Sequence, residues 1–540
     1  MRADWSDPGF RSHTRRCASR SRELSRFFST ENAACCIVGR VNCSRAVILF
    51  AVAAVALTGE LRGQAVTNDS AGVQSKEPAA RAETGDAAAQ FDLGWKYYRG
   101  EGVSQDFAAA RSLWSKAAEQ GNAKAQYCLG SMYRDGQGVP KNPAEAAKWL
   151  RKAADQDFTG AQYNLAQMYL KGEGVGKSAP EAAQWFRKAA EHGYGKAQFA
   201  LGVLYRSGEA VDKDPGEALK WFRKAAEQNV PEAQYAVARA YYAGEGVARD
   251  TREAMDWLQK AATQGLAIAQ FSLGGIYASG GGAPSGAAAL GNAYFVTEGV
   301  VWNPAESEKW WRKAADQGLA DAQFALGMMY HDGFGVPKDL AAARQWYQKA
   351  AEQGHRKAQV NLSIMYLKGE GVSKDGVEAA RWLQKAAEQG DVKAQTDLGL
   401  MYAQGKDLKK DAVAAAKWFR QAAERGVPTA QASLGGLYYE GEGVPKDFNE
   451  AAKWFRKAAE QGDAKGQFAL GGMYANGEGV AKDRVTAYKW ADLAARNAYL
   501  GAYSLRSWLE QRMNRKQIDE ALQLSQEFRP QLTPSSDQAP

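Results

Sequence analysis

A phrase of 36 residues recurs eleven times along this chain, and it constrains the fold more than any other feature. Each copy begins with Ala-Gln-x-x-Leu-Gly-x-x-Tyr, continues with Gly-x-Gly-Val and ends with Trp-x-x-Lys-Ala-Ala. One unit of this size cannot bury its apolar face alone and must stack on its neighbours. The period therefore predicts a solenoid whose function resides on an extended surface and not in a single pocket. The copies open at Ala89, Ala125, Ala161, Ala197, Ala233, Ala269, Ala322, Ala358, Ala394 and Ala430, and at Gly466 in the last copy.

The first half of each copy has the spacing of an amphipathic helix. Counted from the opening Ala, small or apolar residues fall at places 0, 4, 5, 7 and 8, which lie on one side of a helix. Glycine recurs at the fifth place, as at Gly130, although it costs a helix ~1 kcal/mol relative to Ala. This tolerance predicts that two helices approach each other too closely for a Cβ atom. The Gly-x-Gly-Val that follows ends the helix and turns the chain.

The second half of each copy predicts another helix with its own start and stop signals. Three residues after the Val stands a side chain that can accept a hydrogen bond from a first-turn amide. The helix ends at Gly, or at Asp157 or Asn229, the residue types that best accept a left-handed conformation. The repeat Trp lies between these signals, and we expect it to be buried and structural. The capping residues are Asp106, Asn142, Ser178, Asp214, Asp250, Asn303, Asp339, Asp375, Asp411, Asp447 and Asp483.

This combination of motifs resembles the SEL-one-like repeat (SLR) family, a relative of the tetratricopeptide repeats, from about Gly85 to Ala495. The resemblance implies an all-α fold, a right-handed α/α superhelical solenoid, that serves as a non-catalytic adaptor or scaffold. In bacteria such proteins often act in the envelope or outside the cell. Several relatives staple each repeat with a disulfide, whereas Cys128 is the only cysteine after residue 43 here. The helices must therefore hold together without a disulfide framework.

The ends of the chain differ from the repeats. Ile518, Ala521, Leu522 and Phe528 have helical spacing, which predicts a polar-faced capping helix after a partial unit. We therefore divide the chain into a leader (1–65), a linker (66–84), the solenoid (85–496) with an inserted loop (281–297), a C-terminal pair of capping helices (497–529) and a disordered tail (530–540).

The leader has the pattern of an export signal. Nine Arg and no Lys occupy its first 45 residues, and the twelve residues from Ala46 to Leu57 carry no charge. This run is too short to span a bilayer comfortably but suits the apolar region of a secretory signal, and Gly63 and Ala65 are the small residues that cleavage after Ala65 requires. We expect a periplasmic or secreted protein. The alternative is an uncleaved leader that anchors the chain to a membrane.

Charge and motif content argue against most other functions. The residues after 65 carry 59 basic and 56 acidic groups, and this near-neutral mixture predicts no nucleic-acid surface. The stretch Gly172 to Ser178 is one residue too short for a phosphate-binding loop and follows no strand. His-Glu-x-x-His, Ser-x-x-Lys, Ser-Asp-Asn and Lys-Thr-Gly do not occur. We expect no enzyme, cofactor or metal; the alternative is an envelope enzyme or cell-wall-binding protein that acts on peptidoglycan or its precursors.

Two recurrent positions are candidate ligand contacts. The Gln after each opening Ala either satisfies loop carbonyls between repeats or forms a polar ladder for a ligand, and we favour the structural role. The aromatic residue at the second place either packs on an adjacent repeat or lines a concave groove. These aromatic candidates for partner binding are Phe91, Tyr127, Tyr163, Phe199, Tyr235 and Phe271, and the series lapses beyond Phe324 before it returns at Phe468.

The inserted loop 281–297 is the one break in the period. It ends on Asn292-Ala-Tyr-Phe-Val296, so that Tyr294 and Phe295 join the candidate partner-binding residues. Insertions in solenoids map to loops, often on a binding face, although a neutral insertion is the alternative. We expect the chain to bind another protein or an extended peptide through its first helices and this loop.

Overall fold

The computed structural model describes residues 81–279 and 301–531, and every regular element in these two ranges is a helix. Contacts divide them into an N-terminal unit, residues 81–276, and a C-terminal unit, residues 277–279 and 301–531. The N-terminal unit holds α1 (Ala87–Arg99), α2 (Phe107–Glu119), α3 (Ala123–Asp135), α4 (Pro143–Ala154), α5 (Thr159–Lys171), α6 (Ala179–Glu191), α7 (Gly195–Ser207), α8 (Pro215–Glu227), α9 (Pro231–Ala243), α10 (Thr251–Thr263) and most of α11 (Ala267–Ser279).

The C-terminal unit continues the same alternation of first and second helices. It holds α12 (Pro304–Asp316), α13 (Ala320–Asp332), α14 (Leu340–Glu352), α15 (Arg356–Lys368), α16 (Gly376–Glu388), α17 (Val392–Gln404), α18 (Ala412–Glu424), α19 (Pro428–Glu440), α20 (Phe448–Glu460), α21 (Ala464–Asn476), α22 (Arg484–Arg496), α23 (Leu500–Glu510) and α24 (Arg515–Glu527). Consecutive helices pack against each other from α1 to α10 and from α12 to α23, and α24 packs on α22. The prediction of an all-α solenoid of helix pairs is confirmed, while the handedness of the superhelix stays a prediction.

The predicted start and stop signals bound the helices. The Asp106 carboxylate accepts hydrogen bonds from two first-turn amides of α2, both at 2.9 Å. Gly136 ends α3 in the left-handed region, at φ 75°. Asp157 and Asn229 adopt φ values of 59° and 61° where other repeats have Gly. These local signals were therefore interpreted correctly.

The recurrent Gly of the first helix makes room for a large side chain of the second helix in the same repeat. A Cβ atom on Gly130 would lie 2.8 Å from Leu150 Cγ, and one on Gly202 would lie 2.7 Å from the Phe222 ring. Both separations are shorter than real Cβ contacts. The predicted close approach is confirmed, and the nearest neighbour is a side chain rather than the backbone of the second helix.

The repeat Trp is buried, as predicted, in six repeats, whereas it is only half-buried at Trp149, Trp221, Trp257 and Trp454. Trp382 is 6% exposed and packs with Tyr347 and Met365 in one buried cluster. The Lys of Trp-x-x-Lys lies over the indole, since Lys385 Nζ is 4.0 Å from the Trp382 ring centroid. The same contact occurs at Trp149, Trp185, Trp221, Trp257, Trp310, Trp346 and Trp454.

The recurrent Gln joins neighbouring repeats. Gln126 Nε2 donates to the carbonyl of Ala118 in the preceding second helix at 3.0 Å. Gln126 Oε1 accepts from Gln156 Nε2 at 2.8 Å. The bond to the carbonyl eight residues earlier is present for all eleven glutamines, and each of these side chains is buried. The structural role that we favoured is confirmed.

The last two helices close the C-terminal unit. Ser525 of α24 donates to the buried Asp492 of α22 at 2.7 Å, and Arg496 and Arg506 form ion pairs with the same carboxylate at 2.7 and 3.2 Å. The solvent-facing side of α23 carries the exposed Leu500, Tyr503 and Trp508, an apolar surface that we did not predict.

Several predictions concern residues outside the described ranges. Among them are the leader, most of the linker and tail, and the inserted loop with Tyr294 and Phe295. In residues 81–279 and 301–531, no helix combines the length and the apolar character needed to cross a membrane.

Candidate partner-binding surface

Residues at the second, sixth and ninth places after the opening Ala share one side of each first helix, because they are three or four positions apart. In α1 these are Phe91, Trp95 and Tyr98, whose successive rings stack with centroids 6.4 and 5.7 Å apart. We call the surface formed by these three places in α1, α3, α5, α7 and α9 the first-helix face. It belongs entirely to the N-terminal unit.

The second-place aromatics pack within and between repeats. Phe199 lies against Phe222 of its own second helix, with ring centroids 5.7 Å apart. Tyr127 lies against Phe158, which precedes the next first helix, at 4.9 Å. Packing therefore orients these rings, which is the first of the two interpretations that the sequence left open.

The same aromatics differ in how much of each ring remains accessible. Tyr163 and Phe271 are only 7% and 3% exposed. Phe91, Tyr127, Phe199 and Tyr235 are half-buried. Of the six candidates in the described ranges, these four therefore leave ring surface for another molecule.

Sequence reasoning missed the sixth and ninth places of the first-helix face. All ten residues at these places are half-buried, so they combine fixed positions with accessible atoms. The helical spacing from the aromatics was a signal that could have found them. They are Trp95, Ser131, Gln167, Val203 and Arg239 at the sixth place, and Tyr98, Arg134, Leu170, Arg206 and Tyr242 at the ninth.

Burial shapes the electrostatics of this face. Burial raises the pKa of Tyr127, so its hydroxyl stays protonated at neutral pH and able to donate. Burial and then the positive charge of Arg239 lower the pKa of Arg206. Within the described ranges, no group of three or more His, Cys, Asp or Glu side chains is placed to hold a metal ion. Aromatic rings, hydroxyls and guanidinium groups in this arrangement are suited to binding an extended chain.

Paired helices and inter-repeat glutamines define an all-α repeat protein. More specifically, the chain belongs to the Sel1 repeat family. The family's repeat matches residues 87–122, 123–158, 159–194, 195–230, 231–266, 284–319, 320–355, 356–391, 392–427, 428–463 and 464–499. The resemblance to the SEL-one-like repeats is thereby confirmed.

The chain is also similar to solved structures of other proteins. The chain is 37% identical to c5321, a protective antigen of uropathogenic Escherichia coli strains with an SLR fold, with a TM-score of 0.58 over 84% of this chain and 94% of that one. It is 32% identical to a Sel1 repeat protein from Oxalobacter formigenes, with a TM-score of 0.47 over 65% of this chain and 99% of that one. No curated protein matches the chain. Proteins of the Sel1 family generally mediate protein–protein interaction and are typically non-catalytic scaffolds.

Proposed function

We propose that this protein is a non-catalytic scaffold of the cell envelope or the extracellular space that binds another protein through its first-helix face. The bound region is an extended segment of the partner, because the face runs along five consecutive first helices. Export rests on the pattern of the leader. Scaffold function rests on the family, together with the chemistry of this face.

The observation that carries the proposal is the half-burial of aromatic side chains in a row. Phe91, Tyr127, Phe199 and Tyr235 are each packed on one side and accessible on the other. Aromatic residues held in this way lose little conformational freedom on binding, and they commonly dominate interface energy. A row of such anchors fits a partner segment that lies along the repeats.

Site-specific photo-crosslinking tests the proposal in the cells that make the protein. A photoreactive phenylalanine analogue at Tyr127 or Tyr235 should give an adduct with the same partner protein. The matched controls are Lys148 and Lys220, which are exposed on second helices of the same unit. Equal adducts from all four positions, or none from Tyr127 and Tyr235, would contradict binding at the first-helix face.

A further inference from the structure

Helix α23 takes the place of a first helix in a twelfth repeat. Ala502 stands 36 residues after Gly466, the opening residue of the eleventh copy, and is buried like the opening Ala of the other copies. Tyr503 follows it in the place of the recurrent Gln and donates its hydroxyl to the carbonyl of Ala495 at 2.9 Å. This is the bond to the carbonyl eight residues earlier that the recurrent glutamines make. The helix therefore extends the stacking of the repeats by one element.

Among the described residues, this last first helix has no second helix of its own. In ten of the eleven repeats, the second helix packs along the first helix that precedes it. The helix that follows α23 is α24, which packs chiefly on α22. The residue at the fifth place, where a second helix approaches, is buried in all eleven repeats, whereas Ser507 at that place of α23 is exposed. The side of α23 that a second helix would cover is therefore open to solvent.

This open side of α23 is uncharged and largely apolar. Leu500, Tyr503 and Trp508 are 56%, 45% and 37% exposed, and no other helix in residues 81–279 and 301–531 carries more than one exposed large apolar side chain. The Arg512 guanidinium carbon lies 4.3 Å from the Trp508 ring centroid and holds the indole in position. A terminal repeat that ends a solenoid in water needs a polar outer face, and this side of α23 is not polar. Apolar surface concentrated in this way marks an interaction site.

The exposed residues of this side are spaced symmetrically along the helix. They follow one another at intervals of three, one, three, one and three residues, which keeps them on one side of a helix. They are Leu500, Tyr503, Ser504, Ser507, Trp508 and Gln511. Because these intervals are the same in both directions, an antiparallel second copy of α23 matches every one of them. Trp508 of one copy then lies beside Tyr503 of the other, and Ser504 beside Ser507.

Small residues at the centre of this side allow two such helices to approach closely. Within the repeats, close approach depends on a small first-helix residue that faces a large side chain, as Gly130 faces Leu150. On α23 the two serines are the small residues, and Tyr503 and Trp508 are the large ones. Since the side carries no charge, no like charges oppose each other when this surface meets a copy of itself.

We propose that a second copy of this chain covers α23, with the two α23 helices antiparallel about a two-fold axis that passes between Ser504 and Ser507. Each copy then supplies the cover that a second helix gives to the first helices of the repeats. Residues 532–540 would make a poorer cover, because they have one large apolar side chain, Leu532, and two prolines. The inference goes beyond the proposed function, since the first-helix face belongs to the N-terminal unit.

Sedimentation equilibrium of the full chain tests the inference. The wild-type protein should approach twice the mass of one chain as its concentration rises. L500E/W508E places four carboxylates in the proposed interface and should raise the dissociation constant about tenfold or more. V377E/V413E introduces the same charges at exposed apolar positions on other helices and should dimerise like the wild type. Circular dichroism melts show whether each variant is folded.

A disulfide between copies tests the register without adding charge. Since Ser504 of one copy lies beside Ser507 of the other, an equimolar mixture of S504C and S507C chains should form a linked dimer on mild oxidation. S112C changes an exposed serine on α2 and should stay unlinked under the same conditions. The wild type, whose Cys128 is a free cysteine, should also stay unlinked.

The outcomes separate a second copy from other covers. Wild-type protein that is monomeric at every concentration overturns the inference, and dimerisation only after deletion of residues 532–540 would identify the tail as the cover instead. A different protein that copurifies with monomeric wild type, but not with L500E/W508E, would also overturn it. A dimer that folded L500E/W508E retains, or S112C chains that link as fast as the mixture, would place the contact between copies elsewhere. Crosslinking at Tyr127 and Tyr235 tests the proposed function separately.

Discussion

Two of the recurrent glutamines lack a partner that the others have. Within the part of the chain that the structure describes, Gln162 Oε1 and Gln395 Oε1 are buried without a hydrogen bond. Elsewhere this oxygen commonly accepts from a glutamine thirty residues later, as Gln198 accepts from Gln228 at 2.8 Å. The corresponding residues here are His192 and Arg425, so the hydrogen bond between two glutamines is missing at two of the junctions between repeats. A buried acceptor without a donor costs stability.

Replacing His192 with glutamine should complete one of these joints. His192 ends α6 with a backbone conformation close to that of Gln228 at the end of α8, so a glutamine amide can reach Gln162 in the same way. We expect His192→Gln to raise the free energy of unfolding by about 1 kcal/mol, measured by denaturant titration. The reverse change, Gln228→His, should lower it by a similar amount. A His192→Gln variant no more stable than wild type would show that the unpaired oxygen is not a defect.

A histidine joins the seventh and eighth repeats and makes that junction sensitive to pH. His331 Nδ1 lies 2.6 Å from Asp332 Oδ1, and its Nε2 lies 3.3 Å from Glu370 Oε2. The hydrogen bond with Asp332 is the main cause that raises the pKa of His331 above its ordinary 6.5. The stabilisation that protonated His331 contributes is therefore fully present below pH 6.5 and is lost as the pH rises through the raised pKa.

The difference in melting temperature between wild type and His331→Gln should thus be larger near pH ~6 than near pH ~9. Glu370→Gln removes the carboxylate of the next repeat and should reduce this pH dependence. A wild-type advantage that is constant with pH, or that grows as the pH rises, would contradict a protonated bridge at this junction.

Among the helices, second helices carry the tryptophans that fasten one repeat to the next. We expect Trp382→Ala to cost roughly 3–5 kcal/mol, because it leaves a cavity against Tyr347 and Met365. Hydrogen exchange should accelerate in α14, α15 and α16 before it does so in distant repeats. Val377→Ala is the matched control, since Val377 lies on the same helix and is 67% exposed. Equal melting of both variants would show that the indole contributes nothing to the junction.

The helices themselves could be predicted from sequence because their signals are local. Asp106 caps the helix that it precedes, and Gly136 satisfies a backbone requirement at its own position. The first-helix face could be predicted only in part. Arg206 and Arg239 belong to different repeats, so no local pattern reports that the charge of Arg239 lowers the pKa of Arg206. Tyr163 is buried, whereas Tyr127 at the same place of the preceding repeat is half-buried. This difference likewise depends on neighbours from other helices.

For the molecule as a whole, we expect the leader to determine where the solenoid works. We expect removal near Ala65 on export, which leaves a mature chain of residues 66–540. N-terminal sequencing of protein from the envelope and the medium measures this directly. A variant with Arg in place of Leu49 and Val52 should keep the leader, because charge in the apolar run blocks its recognition. Intact leader on wild-type protein in the cytoplasm would contradict export.

The glutamine joints also bear on how such a chain changes over generations. The recurrent Gln of each repeat donates to a carbonyl of the preceding repeat and accepts from a Gln side chain later in the chain. Gln126, for example, donates to the Ala118 carbonyl and accepts from Gln156. Recombination that adds or removes one whole period restores the same hydrogen bonds on both sides, and the inserted loop 281–297, which lies between the two helices of one repeat, also leaves those of Gln270 and Gln323 in place. The number of repeats is therefore the property of this fold that can change most easily in evolution, and the length of the proposed binding surface would change with it.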